Sequence, residues 1–232
     1  MIFTTLNFNS FYYEQLKVML TSLSINSPND IANVELVDFP EKEYEILSSK
    51  FPKYKFTQNN LKLNKNNARE IMVCRRSEII KDALKHHQVV AWFDTDLIIR
   101  KSLSNFWGMS KPNSILILYR PWNSKRTEYI FQAGIFCVNK SNNITEYICN
   151  WDKKLKQDTY WISEQKNLYL EYEKLKEKID LIPLPKTFHD VGCSVNPCFL
   201  KDSYIWHSKQ AHFKNPKFQT EYQNYLKIYN EK

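Results

Sequence analysis

The stretch that decides the fold is an apolar run interrupted by two carboxylates, Val89-Val90-Ala91-Trp92-Phe93-Asp94-Thr95-Asp96-Leu97-Ile98-Ile99. The β-branched and aromatic residues of its first half predict a strand that is buried on both faces. Asp94 and Asp96 follow where this strand leaves the sheet. Residues two apart in an extended chain point to the same side, and two carboxylates there repel each other unless a cation lies between them. The pair therefore indicates a divalent-cation site. The alternative is an ordinary polar turn, because Asp is common where strands end.

Length and composition bound the class of protein. The 232 residues fit one large domain, and the formal net charge of +8 favours anionic partners such as nucleotides, phosphorylated glycans or an acidic membrane surface. A biased gene composition is the alternative explanation for the many Lys and Asn residues. Only three glycines are present, which excludes a G-x-G-x-x-G turn and a P-loop. The five scattered cysteines and the absence of a signal-peptide pattern predict a cytoplasmic protein with reduced thiols.

The order of the predicted elements indicates an α/β fold with a mostly parallel sheet. Strands are predicted at 1–6, 34–39, 89–93, 97–99, 114–119, 131–139, 179–182 and 204–207, and helices at 11–24, 41–49, 68–85, 143–156, 163–176 and 220–229. Ligands of such sheets bind at the carboxyl ends of the strands. The polar residues near the ends of the first two strands are therefore candidates for ligand contacts: Thr4, Thr5, Asn7, Tyr12 and Asp38.

A third metal ligand is expected from elsewhere in the chain. His207 is the leading candidate because it ends a late strand, and the alternative is a hydrogen-bonded interior histidine. An imidazole among oxygen ligands favours Mn²⁺ over Mg²⁺. The basic residues that follow, Lys209, His212 and Lys214, are suited to neutralising a diphosphate leaving group. Their alternative is a solvated basic loop.

Four features in this order resemble the nucleotide-sugar glycosyltransferases of the GT-A fold. They are a β-α-β start, a helix-fed strand ending in Asp-x-Asp, a strand entered through a glycine, and a late strand ending in His. The resemblance runs from Met1 to about Lys214. It is strongest at 89–96, at 206–209 and in Phe131-Gln132-Ala133-Gly134-Ile135-Phe136-Cys137-Val138-Asn139, which is similar to the family's f-x-x-G-v-f-x-x-n strand.

The resemblance implies a single Rossmann-like α/β domain whose mixed, mostly parallel central sheet is flanked by helices. Its expected parts are a nucleotide-binding half at 1–100, an acceptor-binding half at 101–215 and a C-terminal helix at 216–232. The implied donor is a UDP-sugar, and the implied acceptor is a glycan or a lipid-linked glycan.

The same resemblance implies the roles of individual residues. Thr4, Thr5 and Asn7 would hold the base and ribose, with Tyr12 nearby and Asp38 bonding the base or ribose. Asp94 would contact the ribose or sugar and share the Mn²⁺ or Mg²⁺ site with Asp96 and His207. Arg76, or else Arg75 or Arg69, would be the arginine on the helix before the metal strand, and Lys209 and Lys214 would contact the diphosphate. The segment after His207 lacks the glycine found in several relatives, which weakens the assignment of phosphate contacts there.

An inverting transferase needs a carboxylate base close to the acceptor hydroxyl. Glu164, at the start of a predicted helix, is the first candidate, and Asp190 is the second. The alternative for Glu164 is stabilisation of the helix dipole. A retaining transferase would need no base at this place.

Two other functions compete with this interpretation. A sugar-phosphate nucleotidyltransferase usually carries a glycine-rich loop after the first strand, and residues 6–10 contain no glycine. A basic nucleic-acid-binding module would concentrate its positive charge, and here the charge forms no visible stripe. The aromatic face of the last helix, with Tyr222, Tyr225, Leu226 and Tyr229, is expected to pack on the core, the alternative being peripheral contact with a membrane surface.

Overall fold

A computed structural model describes residues 1–7, 9–64, 68–123, 125–160, 162–191, 200–208 and 215–231. The strands within these ranges are β1 (Ile2–Asn7), β2 (Ala32–Val37), β3 (Lys55–Asn59), β4 (Val89–Phe93), β5 (Leu97–Ile99), β6 (Ser114–Tyr119), β7 (Phe131–Asn139), β8 (Asp180–Pro183) and β9 (Ile205–His207). The helices are α1 (Ser10–Asn26), α2 (Glu41–Lys50), α3 (Ala68–His86), α4 (Ser104–Met109), α5 (Asn142–Leu155), α6 (Ser163–Leu175) and α7 (Pro216–Glu231). Three short 3₁₀ turns lie at Pro121–Asn123, Thr127–Tyr129 and Lys186–Phe188.

Seven of these strands form one sheet in the order β3-β2-β1-β4-β7-β6-β8, and β5 pairs with β9 in a separate two-stranded sheet. The pairs β1/β4, β2/β3 and β6/β8 are parallel, whereas β7 runs antiparallel to β4 and to β6. The predicted fold class, α/β with a mixed, mostly parallel sheet flanked by helices, is confirmed.

Two elements escape prediction from the sequence, β3 and α4. Strand β3 reads Lys-Phe-Thr-Gln-Asn and lies at the edge of the sheet, with no fully buried side chain. Its polar sequence gives no alternating apolar signal. Its pairing with the buried strand β2 along five residue pairs specifies it instead.

The chain divides into two compact units, each built from separate segments. Unit 1 comprises Met1–Phe3, Leu61–Phe93 and Gly108–Leu184; unit 2 comprises Thr4–Asn60, Asp94–Trp107 and Pro185–Lys232. The functional division at residues 100 and 215 stays a prediction.

The core of unit 1 is built around β7, whose nine residues are all buried. The strand lies between β4 and β6, and its residues 133–138 are continuously apolar rather than alternating, as expected of a strand that is buried on both faces. Helix α5 packs its apolar face on the same core, with Ile144, Tyr147, Ile148 and Trp151 fully buried. The Trp151 ring meets the Phe136 ring of β7 edge-on, with centroids 6.0 Å apart.

A buried charge links α3 to α5 in unit 1. The Asp152 carboxylate accepts hydrogen bonds from Ser77 Oγ at 2.9 Å and from Lys81 Nζ at 2.5 Å, and Lys156 Nζ lies at 3.3 Å. Burial alone would raise the pKa of Asp152, but the bonds from Lys81 and Ser77 outweigh it, so that this pKa lies below its ordinary value. The carboxylate form of Asp152 therefore stabilises the folded protein.

Unit 2 holds α7 against α1 and the two-stranded sheet. Phe218 and Tyr222 of α7 join Val18, Ile98 and Trp206 in one buried cluster. Asn26, at the end of α1, donates from Nδ2 to Tyr225 Oη at 2.7 Å. The aromatic face of the last helix thus packs on the core of its unit. No helix in the described ranges is long and apolar enough to cross a membrane.

The lowered pKa of Asp152 makes a prediction about stability and pH. We expect Asp152→Asn to reduce the free energy of unfolding by about 1–3 kcal/mol near pH 7, because a charge-assisted network loses its anion. A carboxyl group with a depressed folded-state pKa stabilises the fold above its unfolded-state pKa, and this contribution disappears as the pH falls through the folded-state pKa. The difference between variant and wild type should therefore shrink towards about pH 3.

Urea denaturation of both proteins across this pH range measures the difference. Asp202→Asn is the matched control, since the Asp202 side chain is 87% exposed and should change stability little. A difference for Asp152→Asn that stays constant with pH would contradict the role given to its charge.

Candidate metal centre

The pairing of β5 with β9 brings a late residue to the carboxylate pair. The two strands are antiparallel, with Leu97 opposite His207 and Ile99 opposite Ile205. Ser208 N–H then donates to the Asp96 carbonyl at 2.9 Å, which extends the ladder by one bond. His207 consequently lies beside Asp96, although the two residues are far apart in the sequence.

The side chains of Asp94, Asp96 and His207 converge. His207 Nε2 lies 2.9 Å from Asp96 Oδ1 and 3.8 Å from Asp94 Oδ2, and one ligand atom from each residue falls within 4.8 Å of the others. The His207 side chain is 2% exposed, while those of Asp94 and Asp96 are 25% and 22% exposed. The imidazole therefore forms the buried floor of the cluster, and the carboxylates form its solvent-facing side.

This donor set fits a divalent cation. Two carboxylates and one imidazole suit Mn²⁺ or Mg²⁺, which leave further coordination positions for water and phosphate oxygens. Ligand distances of about 2.1 Å place neighbouring ligand atoms about 3 Å apart in an octahedral shell, close to the separation of His207 Nε2 and Asp96 Oδ1. The predicted ligand set of Asp94, Asp96 and His207 could thus bind an ion without a change of backbone.

His189 is a partner of His207, the candidate metal ligand, and the sequence did not reveal it. Its Nε2 lies 2.8 Å from His207 Nδ1, the two rings stack with centroids 5.0 Å apart, and His189 is fully buried. When His207 Nε2 binds a metal, its Nδ1 must carry the proton, which it donates to His189 Nε2. His189 lies in a loop whose sequence pattern carries no signal for this role.

Asp190 is bound into the protein interior. Its Oδ2 accepts hydrogen bonds from Leu200 N–H at 2.7 Å and Ser203 Oγ at 2.5 Å, and its backbone carbonyl accepts from His207 N–H at 3.0 Å. The residue is fully buried. These contacts support a structural role, in which Asp190 anchors the turn before β9. Its role as a catalytic base stays a prediction.

Apart from Arg76, which belongs to unit 1, the residues predicted to bind the nucleotide belong to unit 2, as do the candidate metal ligands. Thr4 is buried on β1, and Thr5 Oγ1 donates to Glu35 Oε2 at 3.1 Å. Asn59 Nδ2 donates to the other oxygen of Glu35, so β1, β2 and β3 are linked by one carboxylate that sequence analysis did not single out. The register pairs Phe3 with Trp92, so Thr5 and Asp94 each lie two residues beyond that pair.

The remaining predicted nucleotide contacts vary in what the structure says of them. Tyr12, in the first turn of α1, is 39% exposed. Asp38 directly follows β2 in the left-handed region, with φ of 52°, and its N–H donates to the Asn59 carbonyl at 2.9 Å. The side chain of Asn7 and the predicted phosphate-binding residues Lys209 and Lys214 lie outside the described part of the structure.

Arg76 and Glu164 form an ion pair in unit 1. Arg76 Nε lies 2.7 Å from Glu164 Oε1, with both side chains about 15% exposed. The guanidinium also covers the Trp92 ring at 4.7 Å and donates to the Ala133 carbonyl at 2.9 Å. Ala133 lies in a bulge of β7, because the β6/β7 register shifts between Ile117 and Leu118. The bulge directs a strand carbonyl towards the arginine.

No protein-family model matches the chain, and no curated protein matches it by sequence. Solved structures do. The glycosyltransferase GlyE of Streptococcus pneumoniae TIGR4 is similar over 99% of this chain and 62% of its own, with 14% identity and a TM-score of 0.66. The galactosyltransferase LgtC, solved with donor and acceptor sugar analogues, is similar over 99% of this chain and 95% of its own, with 12% identity and a TM-score of 0.65. The protein has a GT-A fold.

A third GT-A structure, mouse xyloside xylosyltransferase 1, is similar over 90% of this chain and 97% of its own, with 12% identity and a TM-score of 0.57. At these identities the likeness establishes the fold, and the chain spans only about three fifths of the GlyE chain. The GT-A resemblance expected from the sequence is confirmed. The Asp-x-Asp pair, Asp94 and Asp96, is present and lies beside His207.

The bond between the two histidines makes a prediction about metal binding. We expect His189→Leu to weaken Mn²⁺ binding by about 10-fold to 100-fold, because His207 loses the partner that holds its ring and tautomer. Isothermal titration with Mn²⁺ alone measures this. His189→Gln, whose side-chain oxygen can accept the same hydrogen bond, should recover part of the affinity.

His86→Ala is the control, since His86 is an exposed residue at the end of α3. It should leave Mn²⁺ affinity unchanged. An unchanged affinity in His189→Leu as well would contradict the positioning role of His189.

Proposed function

We propose that this protein is a metal-dependent glycosyltransferase that moves a sugar from a nucleoside-diphosphate donor, with UDP-sugars favoured, to a glycan or lipid-linked acceptor. The observation that carries the proposal is the convergence of Asp94, Asp96 and His207 at one cluster in a protein with the GT-A fold. The carboxylates alone would repel a diphosphate, so their grouping is consistent with a cation between protein and donor.

In this function unit 2 supplies most of the contacts to the donor. Asp94, Asp96 and His207 would hold Mn²⁺ or Mg²⁺, which supplies Lewis-acid stabilisation of the departing diphosphate. Thr4, Thr5, Asn7, Tyr12 and Asp38 would contact the base and ribose, and Lys209 and Lys214 the diphosphate. The Thr5–Glu35 bond supports this arrangement, since it fixes the end of β1 where the ribose is expected.

The reaction forms a bond between the acceptor oxygen and the anomeric carbon, and breaks the bond from that carbon to the diphosphate. The acceptor hydroxyl must release its proton. In an inverting reaction Glu164 would accept it, and Arg76 would orient Glu164 and contact the donor. In a retaining reaction the oxygen of the departing diphosphate would take the proton, and the Arg76–Glu164 pair would serve only to position groups.

Binding of UDP tests the metal-bridged donor site. We expect Mn²⁺ to raise UDP affinity by at least about 10-fold, since a cation held by the carboxylates would attract the diphosphate. Asp96→Ala should abolish this gain, because it removes a metal ligand. Titration calorimetry with and without Mn²⁺ measures both effects.

Asp202→Ala removes a carboxylate that is 87% exposed, and serves as the control. It should keep the gain from Mn²⁺. If Asp96→Ala binds UDP as well as the wild type in the presence of Mn²⁺, the metal bridge is wrong. A panel of nucleotide sugars tested for hydrolysis with Mn²⁺ then identifies the donor.

The role of Glu164 as the base of an inverting reaction can be tested by substitution. For an inverting enzyme, Glu164→Gln should lower the transfer rate by about 10²-fold to 10⁴-fold and remove the acidic limb of its pH profile, because the amide accepts no proton. UDP affinity with Mn²⁺ should not change, which separates this loss from a binding defect. A transfer rate close to that of the wild type would eliminate Glu164 as the base.

A further inference from the structure

Arg120 differs from the other arginines whose side chains are described. It directly follows β6, it is half-buried, and its N–H donates to the Ile130 carbonyl at 2.8 Å. Within the described ranges its guanidinium has neither a hydrogen bond nor an ion pair. By contrast, Arg76 pairs with Glu164, and Arg126 with Glu128.

Such a cation destabilises the fold. Burial lowers the pKa of the Arg120 guanidinium, and no charged neighbour opposes that effect. Removing a charge from water without a compensating partner costs free energy. A half-buried charge without a described partner is suited to a ligand of opposite sign.

The strand directions place Arg120 at the ligand-binding edge of the sheet. Strands β4 and β6 are both antiparallel to β7 and therefore run in the same direction. Arg120 follows the carboxyl end of β6, and this is the edge where β4 ends at Phe93. Strand β7 separates β4 from β6, which places the two strand ends about 10 Å apart across the sheet.

The turn after Arg120 presents an exposed aromatic side chain. Trp122 is 74% exposed, the highest value among the large apolar residues described. The far end of this loop is fixed, since Gln165 Nε2 donates to the Glu128 carbonyl at 2.6 Å and Arg126 Nη2 donates to Tyr129 Oη at 2.9 Å. An exposed indole two residues from the guanidinium offers an apolar face on which a ligand can lie.

We propose that Arg120 and Trp122 form an acceptor subsite for an anionic sugar, which carries a carboxylate or a phosphate. The anion would pair with the planar guanidinium, whose donors match two oxygens at once. The apolar face of the sugar ring would lie on the indole. The inference rests on the proposed glycosyltransferase function and gives the chemical class of its acceptor. The net charge of +8 favours the approach of such a substrate.

The test measures sugar binding without nucleotide or metal, so its outcome is independent of the UDP experiment. The probes are methyl β-D-glucuronide, methyl β-D-glucoside 6-phosphate and, as the neutral reference, methyl β-D-glucoside. Protein-observed NMR titrations of the wild type should show at least about 10-fold tighter binding of one anionic probe than of the neutral one, as expected for one charge-assisted pair. Which of the two binds more tightly distinguishes carboxylate from phosphate.

Three variants separate the two contacts. Arg120→Gln should remove the preference for the anionic probe, and Arg120→Lys should retain part of it. Trp122→Ala should weaken all probes by a similar factor and leave the preference intact. Lys125→Gln is the matched control in the same loop, because Lys125 is an exposed cation; its preference should equal that of the wild type.

The thermal unfolding temperature distinguishes a binding role of Arg120 from a structural one, because the two roles predict changes of opposite sign. Arg120→Gln should raise the unfolding temperature, because it removes an uncompensated charge. A lower unfolding temperature would show that the arginine supports the fold and would overturn the proposal. Equal binding of anionic and neutral probes by the wild type, including no binding of either, would overturn it as well. So would an unchanged preference in Arg120→Gln.

Discussion

The antiparallel pairing of β5 with β9 is the contact on which the proposed site depends. It consists of three residue pairs, extended by the bond from Ser208 N–H to the Asp96 carbonyl. A ladder this short has little stability of its own. Its surroundings hold it: Ile98 and Trp206 belong to the cluster filled by α1 and α7, and the Asp190 backbone bonds to both Ile205 and His207. The positions of the candidate metal ligands therefore depend on the packing of unit 2.

Much of this arrangement could be predicted because its signals are local. The apolar run that ends at Asp94 needs only its own composition to predict a buried strand, and the structure places β4 and β5 at the predicted residues. The predictions of β4 and β5 rest on patterns that are complete within about ten residues. His207, by contrast, could be proposed as a ligand only from the order of elements along the whole chain.

What could not be predicted depends on distant partners. The role proposed for His189 depends on His207, a residue of another segment, whose Nδ1 lies 2.8 Å from His189 Nε2. Glu35 lies in the middle of a buried strand, where its charge gives no hint that Thr5 and Asn59 share its oxygens. Arg120 carries no sequence motif, and only the lack of a described counter-ion sets it apart from Arg76. Strand β3 is specified by β2 rather than by its own polar residues.

The bulge in β7 has a consequence for how this protein tolerates change. Residues 136–139 of β7 are in regular register with both β4 and β6. The register with β6 skips Ala133, Gly134 and Ile135, which form the bulge. The second half of the strand is thus regular, and the first half is irregular because it contains the bulge. Single-residue insertions within the regular half would turn every following side chain to the opposite face of the sheet, whereas the irregular half can absorb a change in length. Among related chains, differences in substrate choice are therefore expected to accompany changes around the bulge and the turn after β6. The regular half of β7 is expected to stay constant in length.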